Sequence, residues 1–452
     1  MKLNISILSF LLACTFFSCS SDDTPGVEVP ERVYDATLSL VIKDKGKNQK
    51  TKATVDYNAS NVKSAISYFV NNLSLAVFDT EGLVAFEEVQ AELVKGKYES
   101  ALNIKDVNIP SGNLKVLVLA NVIVPEDLKA MNTSIDQYKL LSGDLDGEKN
   151  GYLTMSSGIL AYSAAAGKNY IGFESDAVTD GVIIDTKPIE LVRMVADVYL
   201  EYLKLDPSDN YKSQLTTFTL KKIFVANVKK SSLLVSDESW GAVEKLDAGW
   251  WSGNTSMNGS LDAKNSEEKS FFCYDLENAP EDKAAYNKTY PYLNGIWDLS
   301  LDNGGDILGK NGSVSLKKPS EASHLGYSYF PLGVNFYVYE NMQSEYHTLL
   351  VVQGDYTYTP EGESLPITLE DRFYTVVINK DGKSTIFNAD LNVTKTEDVG
   401  HQYVRRNYKY AIFLTVAGPG SDNPYNIQAS THISAQVTVR NWDVVNMEEE
   451  VD

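Results

Sequence analysis

Apolar and polar residues alternate in short runs from one end of the chain to the other, and that two-residue period constrains the fold more than any other feature. "LSLAVFD" (73–79), "LKVLVLANV" (114–122), "VRMVADVYLEYL" (192–203), "FTLKKIFVANV" (218–228), "GVNFYVYE" (333–340), "HTLLVVQGDYTY" (347–358), "RFYTVVIN" (372–379), "YKYAIFLTVAG" (408–418) and "ISAQVTVRNWDVV" (433–445) all read as β-strands. Turn clusters such as "DNGG" (302–305), "KDGK" (380–383) and "GPGSDNP" (418–424) separate several of them. Tyrosine outnumbers phenylalanine, 27 to 16, which suits pleated, half-buried surfaces. Helical signal is confined to 125–142, where Pro125 is placed to open one short helix and Ser134 to cap a second. Many short strands with few helices predict β-sandwiches, and 452 residues are enough for more than one core. Pro188 precedes a second cycle of strands, which sets expected domains at 33–188 and 189–452. The irregular Trp/Asn/Gly-rich stretch at about 236–325 reads as a large inserted loop region of the second.

One segment departs from this regularity. "YDATLSLVIKDKGKNQKTKATVDY" (34–57) begins as a strand with Tyr34, Ala36, Leu38, Leu40 and Ile42 on one face. It then breaks into a polar run with five lysines between Lys43 and Lys52. The chain as a whole carries a formal net charge of −21, which repels nucleic acid and anionic membrane surfaces alike. A dense basic, protease-accessible run is therefore out of character with its surroundings.

The N-terminus reads as a targeting segment. Lys2 precedes an apolar stretch, residues 3–17, that is too short to span a bilayer. "LLAC" ending at Cys14 and "FFSC" ending at Cys19 both look like lipoboxes. Cys14 falls inside the apolar run, whereas Cys19 is followed at once by the polar "SSDDTPGVEVPE". The expectation is a lipoprotein signal peptide at 1–18, lipidation at Cys19 and a tether over 19–32, so that the mature chain is anchored rather than spanning. An ordinary secretory signal is the alternative. Cys273 is then the one cysteine left besides the lipidated residue, and no intramolecular disulfide framework is possible.

No catalytic constellation emerges. His324, His347, His401 and His432 are scattered without metal-like spacing, and HExxH, CxxC, GxSxG, P-loop and dinucleotide patterns are missing. Acid pairs such as Glu87-Glu88 sit in runs typical of solvated faces. "DLDGEKNG" (144–151) offers Asp144, Asp146 and Asn150 to a cation but lacks the closing glutamate of a calcium loop. "GWWSG" (249–253) and "YNKTYPYLNGIW" (286–297) suggest either sugar-stacking platforms or aromatic loops covering a sandwich edge. The expectation is a non-enzyme without metal or cofactor.

In order along the chain, several motifs resemble the FimA-type fimbrillins, stalk subunits of type V pili in Gram-negative anaerobes. "YDATLSLVIKDKGKNQKTKA" is similar to that family's N-terminal strand and processing loop. "LKVLVLANV" matches the segment ending at Ala120-Asn121, and "YLTMSS" (152–157) the methionine motif after the helices. "IELVRMVADVYL" (189–200) matches the strand whose arginine is Arg193 here. "FYVYEN", "RFYTVVIN", "RRNYKYAIFLTVAGPGS" and "VTVRNWDVV" resemble strands of the second domain.

The resemblance implies a mostly β fold of two tandem transthyretin-like, Greek-key β-sandwich domains with a few short helices. It implies export as an outer-membrane lipoprotein, cleavage by a trypsin-like protease, and release of residues 33–52. Another subunit's C-terminal strand then fills the vacated groove, so that copies of this chain and other fimbrial subunits are its partners in an extracellular fimbria. Mapped onto this sequence, the cut falls after Lys52 and before Ala53, with Lys50 as a neighbouring alternative. The family position usually carries arginine. Val445, Met447 and Val451 share one face of the expected donor strand, which Glu449 interrupts. Burying four large side chains of the leading segment is worth on the order of 6–12 kcal/mol, comparable to a whole domain's stability margin. Two other readings compete: a lipidated surface protein that binds glycans through Trp250 and Trp251, and an anchor or tip subunit that keeps its first strand.

Overall fold

The structure is a computed structural model and describes residues 32–42, 54–55, 70–94, 97–99, 103–145, 148, 152–213, 215–235, 250–251, 273–275, 297–300, 307–309, 334–343, 345–387, 393–426 and 433–441. Its body, from Tyr34 onward, is mostly β and is built on four principal sheets.

Two sheets come from the first part of the chain. One has the spatial order Val182–Asp185, Gly167–Ile171, Ala36–Val41, Asn103–Ile109. The other runs Val192–Arg193, Met155–Ala164, Gly112–Ala120, Asn72–Phe78, Leu83–Gln90. Between them lies a core that includes Leu38, Leu40, Leu73, Leu75, Val77, Val116, Val118, Ile104, Ile109 and Ile171. Every residue of Asn72–Phe78 is buried. Leu73, Leu75 and Val77 face this core, while Ala76 and Phe78 face a second one on the other side of the sheet. Burial on both faces accounts for the nearly unbroken apolar run in that strand.

The chain passes through buried Met194 into Val195–Leu205, which begins a third sheet ordered Val334–Tyr339, Val195–Leu205, Tyr408–Val416, Ile433–Asn441. The fourth contains Ile307–Gly309, Trp297–Ser300, Thr217–Ala226, Leu349–Tyr358 and Ile367–Val377. The larger core spans both parts. It joins Phe78, Leu117, Leu119, Tyr138 and Leu145 to Val198, Leu200, Phe218, Val338 and Ile412.

Helix is sparse among the described residues. Glu126–Lys129 is a single 3-10 turn after Pro125, and Ile135–Tyr138 is one α turn whose Ser134 hydroxyl accepts from the Asp136 N–H. Tyr138 packs edge-on against Phe78 and donates to the Leu128 carbonyl, so the helical connection is a lid on the second face of the sheet.

Candidate functional site

The leading strand Ala36–Val41 is interior to its sheet. It runs parallel to Gly167–Ile171, with Leu38 opposite Asn169 and Leu40 opposite Ile171. It runs antiparallel to Asn103–Ile109, with Ala36 opposite Ile109, Leu38 opposite Val107 and Leu40 opposite Ile104. Its departure would open a slot about 20 Å long, six residues at ~3.3 Å each, with unpaired backbone on both walls.

Ala36, Leu38, Leu40 and Ile42 are buried in the first core. Tyr34 is not: it precedes the strand, is 44% exposed, and its hydroxyl donates to the Val84 carbonyl at 3.3 Å. A tyrosine at the rim keeps its polar end wet, so three large side chains fill the slot rather than four. Their burial is worth roughly 5–9 kcal/mol at ~1.5–3 kcal/mol each.

Both ends of the strand are tied. At the start, the Asp35 carboxylate accepts from the Ser111 N–H and hydroxyl at 2.8 and 2.9 Å, and these bonds, the backbone one first, hold its pKa below the ordinary aspartate value. The Asp35 carbonyl accepts from the Gly167 N–H. At the end, Ile42 bridges to Ile189, and the Ile189 N–H donates to the Val41 carbonyl. Gly172 sits there at φ +83°, where a Cβ would lie 2.8 Å from the Pro188 Cα and 2.9 Å from the Val41 carbonyl oxygen. Only glycine permits that approach.

The strand's outward side carries one polar device. Between Leu38 and Leu40 the register against Asn103–Ile109 shifts, so Lys105 and Asp106 together oppose Ser39. Asp106 adopts a left-handed φ of 54°. Its N–H donates to the Ser39 hydroxyl at 3.0 Å, and Ser39 is only 4% exposed. Asn169, also buried, donates to the Thr37 carbonyl from the other side.

Past the lysine run the chain resumes as Thr54–Val55, paired with Lys97–Glu99 in a separate three-stranded sheet. Cys19, Lys50, Lys52, Ala53, Val445, Met447 and Val451 lie outside the described residues.

Other candidates resolve differently. Trp250 and Trp251, the sugar-stacking pair, are 4% and 6% exposed and form a short strand against Val228–Lys229. The Lys229 and Lys230 ammonium groups cover their rings at 5.4 and 3.9 Å, so neither presents a face to a glycan. In "DLDGEKNG", Ser142–Asp144 pairs with Ser231–Leu233, while Glu148 turns inward to accept from the Thr154 N–H and the Tyr339 hydroxyl. Glu148 is buried and burial raises its pKa, while Asp146 and Asn150 lie outside the described residues. No group of three His, Cys, Asp or Glu residues is placed to hold a metal among the described residues. His401 is buried, bonded to the Val399 carbonyl and the Tyr410 hydroxyl, and burial lowers its pKa. The Cys273 thiol is pushed up to about 12, chiefly by burial, and is correspondingly inert.

Sequence reading missed Arg406. Its guanidinium is fully buried, 3.0 Å from Glu340, and donates to Ser232 and to the Leu233 carbonyl. The doubled arginine of "RRNYKYAIF" gives no sign that one member turns inward, because the Glu340 that receives it is 66 residues away.

Comparison with known proteins bears on this geometry. Residues 36–193 match a family model described as major fimbrial subunit protein (FimA), and the match starts at the first residue of the leading strand. The major fimbrium subunit FimA type-2 of Porphyromonas gingivalis is 23% identical over 466 aligned positions, covering 98% of each chain. A Parabacteroides distasonis protein provisionally named fimbrium tip subunit Fim1C is 25% identical, over 91% of this chain and 86% of that one. Among solved structures, a fimbrilin from Porphyromonas gingivalis W83 superposes with a TM-score of 0.58 at 17% identity, covering 92% of this chain and 99% of that one, a likeness of fold.

Proposed function

This chain belongs, through residues 36–193, to the FimA major fimbrial subunit family, and from that premise we propose that it is a building block of a cell-surface fimbria polymerised by strand replacement. In this reading the precursor is exported as a lipoprotein on Cys19 and cut between Lys52 and Ala53. The leading strand leaves, and a C-terminal strand carrying Val445, Met447 and Val451 from another copy enters the slot. The domain division at 188/189 goes with this reading: the first domain receives and the second donates.

The observation that carries the reading is the place of Ala36–Val41. It is an interior strand, paired on both edges, and the five-lysine run follows it directly. An interior strand cannot be removed without exposing two ladders and an apolar floor, and a strand from a neighbour satisfies both. The contact is head-to-tail and does not close on itself, so it propagates as a fibre. While the strand is in place it occupies the same slot, which keeps the uncut precursor monomeric.

Limited trypsin treatment of the full chain tests this. The expected result is a ladder of SDS-resistant oligomers whose subunits begin at Ala53. A product that stays monomeric with its leading strand cut would overturn strand replacement. The similarity to a tip subunit favours a second reading in which this chain ends the filament. Purified filaments then carry it at one copy each, rather than along their length.

A further inference from the structure

Strand replacement leaves open how an incoming strand finds its register, and the outward side of the slot answers that question. This inference rests on the strand-replacement reading and concerns its specificity.

The two-against-one bulge takes the Asp106 N–H out of the ladder and aims it at the side chain at position 39. Thr37 and Val41, the flanking residues on the same side, are half-buried, whereas Ser39 is closed over. The slot therefore reads two things at its centre: a compact side chain with an oxygen acceptor, and a large apolar residue on either side facing the core. A one-residue slip sends a leucine into the closed place and turns the apolar set outward.

Eleven residues, 442–452, follow Asn441, the last residue of the final strand. Fully extended they reach ~36 Å at ~3.3 Å each, more than the ~20 Å slot requires. Two triplets in them place an oxygen acceptor between apolar residues: Trp442-Asp443-Val444 and Val445-Asn446-Met447. The first would set a second carboxylate beside Asp106 and an indole where Leu38 packs, adding repulsion and overpacking. The second brings a neutral amide oxygen and two apolar side chains, one a methylene smaller than leucine and one of about its size.

We propose that Asn446 of a second copy takes the place of Ser39, so that Val445 and Met447 fall at the places of Leu38 and Leu40 and the Asp106 N–H fixes the register. The seated part of the donor then ends at Met447: Ile42 is buried beside Ile189, a place that cannot hold a carboxylate, so the chain leaves the slot before Glu449.

The test uses the full chain after limited trypsin. Asn446→Leu is expected to slow assembly about ten-fold, the cost of one buried donor left without an acceptor, while Asn446→Ser stays within about two-fold of the parent. Register is read directly in a Cys273→Ser background by pairing Ile104→Cys with Met447→Cys. Leu40 lies opposite Ile104, so the proposed register joins these two cysteines across adjacent strands of different copies. Pairing Ile104→Cys with Val445→Cys or Val451→Cys should give no covalent multimer. A cross-link from either of those, or unchanged assembly by Asn446→Leu, overturns the register while leaving strand replacement intact. Failure of the parent chain to assemble overturns strand replacement itself.

Discussion

The first strand of each half of the molecule occupies the same topological place, and the two differ in length and in how their ends are held. Ala36–Val41 lies between a parallel neighbour, Gly167–Ile171, and an antiparallel one, Asn103–Ile109. Val195–Leu205 likewise lies between a parallel neighbour, Tyr408–Val416, and an antiparallel one, Val334–Tyr339. The first is six residues long and is followed by a lysine run; the second is eleven and is continuous with the preceding strand through Met194. The first begins at a solvent-exposed Asp35–Ser111 bond. The second begins beside Arg406, which touches the Met194 sulfur at 3.6 Å and is locked to Glu340 out of reach of water. What distinguishes the two strands is thus length and ends, since the apolar alternation is common to both.

The sharpest contrast should come from a buried charge. Leu200→Asp, in the second half's first strand, is expected to leave no soluble folded protein, because nothing can take that strand's place. Leu40→Asp is expected to expel only the leading strand, giving a folded body that oligomerises without trypsin, read by size-exclusion chromatography. A monomeric Leu40→Asp protein that melts like the parent would break the comparison.

The ends come next. Arg406→Ala strands the Glu340 carboxylate in the core and should cost ~3–5 kcal/mol in urea unfolding. Asp35→Ala removes an exposed bond and should leave the unfolding midpoint within experimental scatter. Leu40→Ala should cost the uncut chain ~2–5 kcal/mol and, under the proposed strand replacement, the assembled filament nothing. Equal destabilisation of both forms would mean that the strand is retained.

A smaller effect concerns acid. Burial lowers the His401 pKa, with the Arg405 charge adding to the fall and the Val399 carbonyl and Glu340 opposing it. The folded state thus prefers the neutral ring. The stability this contributes is present above the unfolded histidine pKa, ~6.5, and is lost as pH falls through the lower folded value. His401→Gln should flatten that part of the thermal-stability profile below about pH 6.5, while leaving the Asp35 end of the leading strand unaffected.

Much of this was legible in the sequence. The strands at 73–79, 114–122, 218–228 and 408–418 appear within two residues of their structural bounds, because each alternates against a buried face. Asn103–Ile109, Gly167–Ile171 and Val182–Asp185 were not legible. The first two are largely polar, as in "GKNYI", and the leading strand pairs between them; the third, "VIID", is only four residues long and pairs onto Gly167–Ile171. The slot's walls therefore depend on partners too far along the chain for a local pattern to reveal. The Asp106 bulge is hidden for the same reason, since nothing in "NIKDVNI" marks a left-handed residue until Ser39 stands opposite it.

The mixed pairing of the leading strand also has a mechanical meaning. A pull on its N-terminal end along its own axis loads the hydrogen bonds on both edges in shear, so many must yield together. A force that lifts the Val41 end breaks the Ile189 bond first and then opens the ladders one rung at a time. The same six residues are thus a strong attachment under tension from the front and a weak one when opened from behind. A cut placed behind the strand therefore frees the end from which it peels.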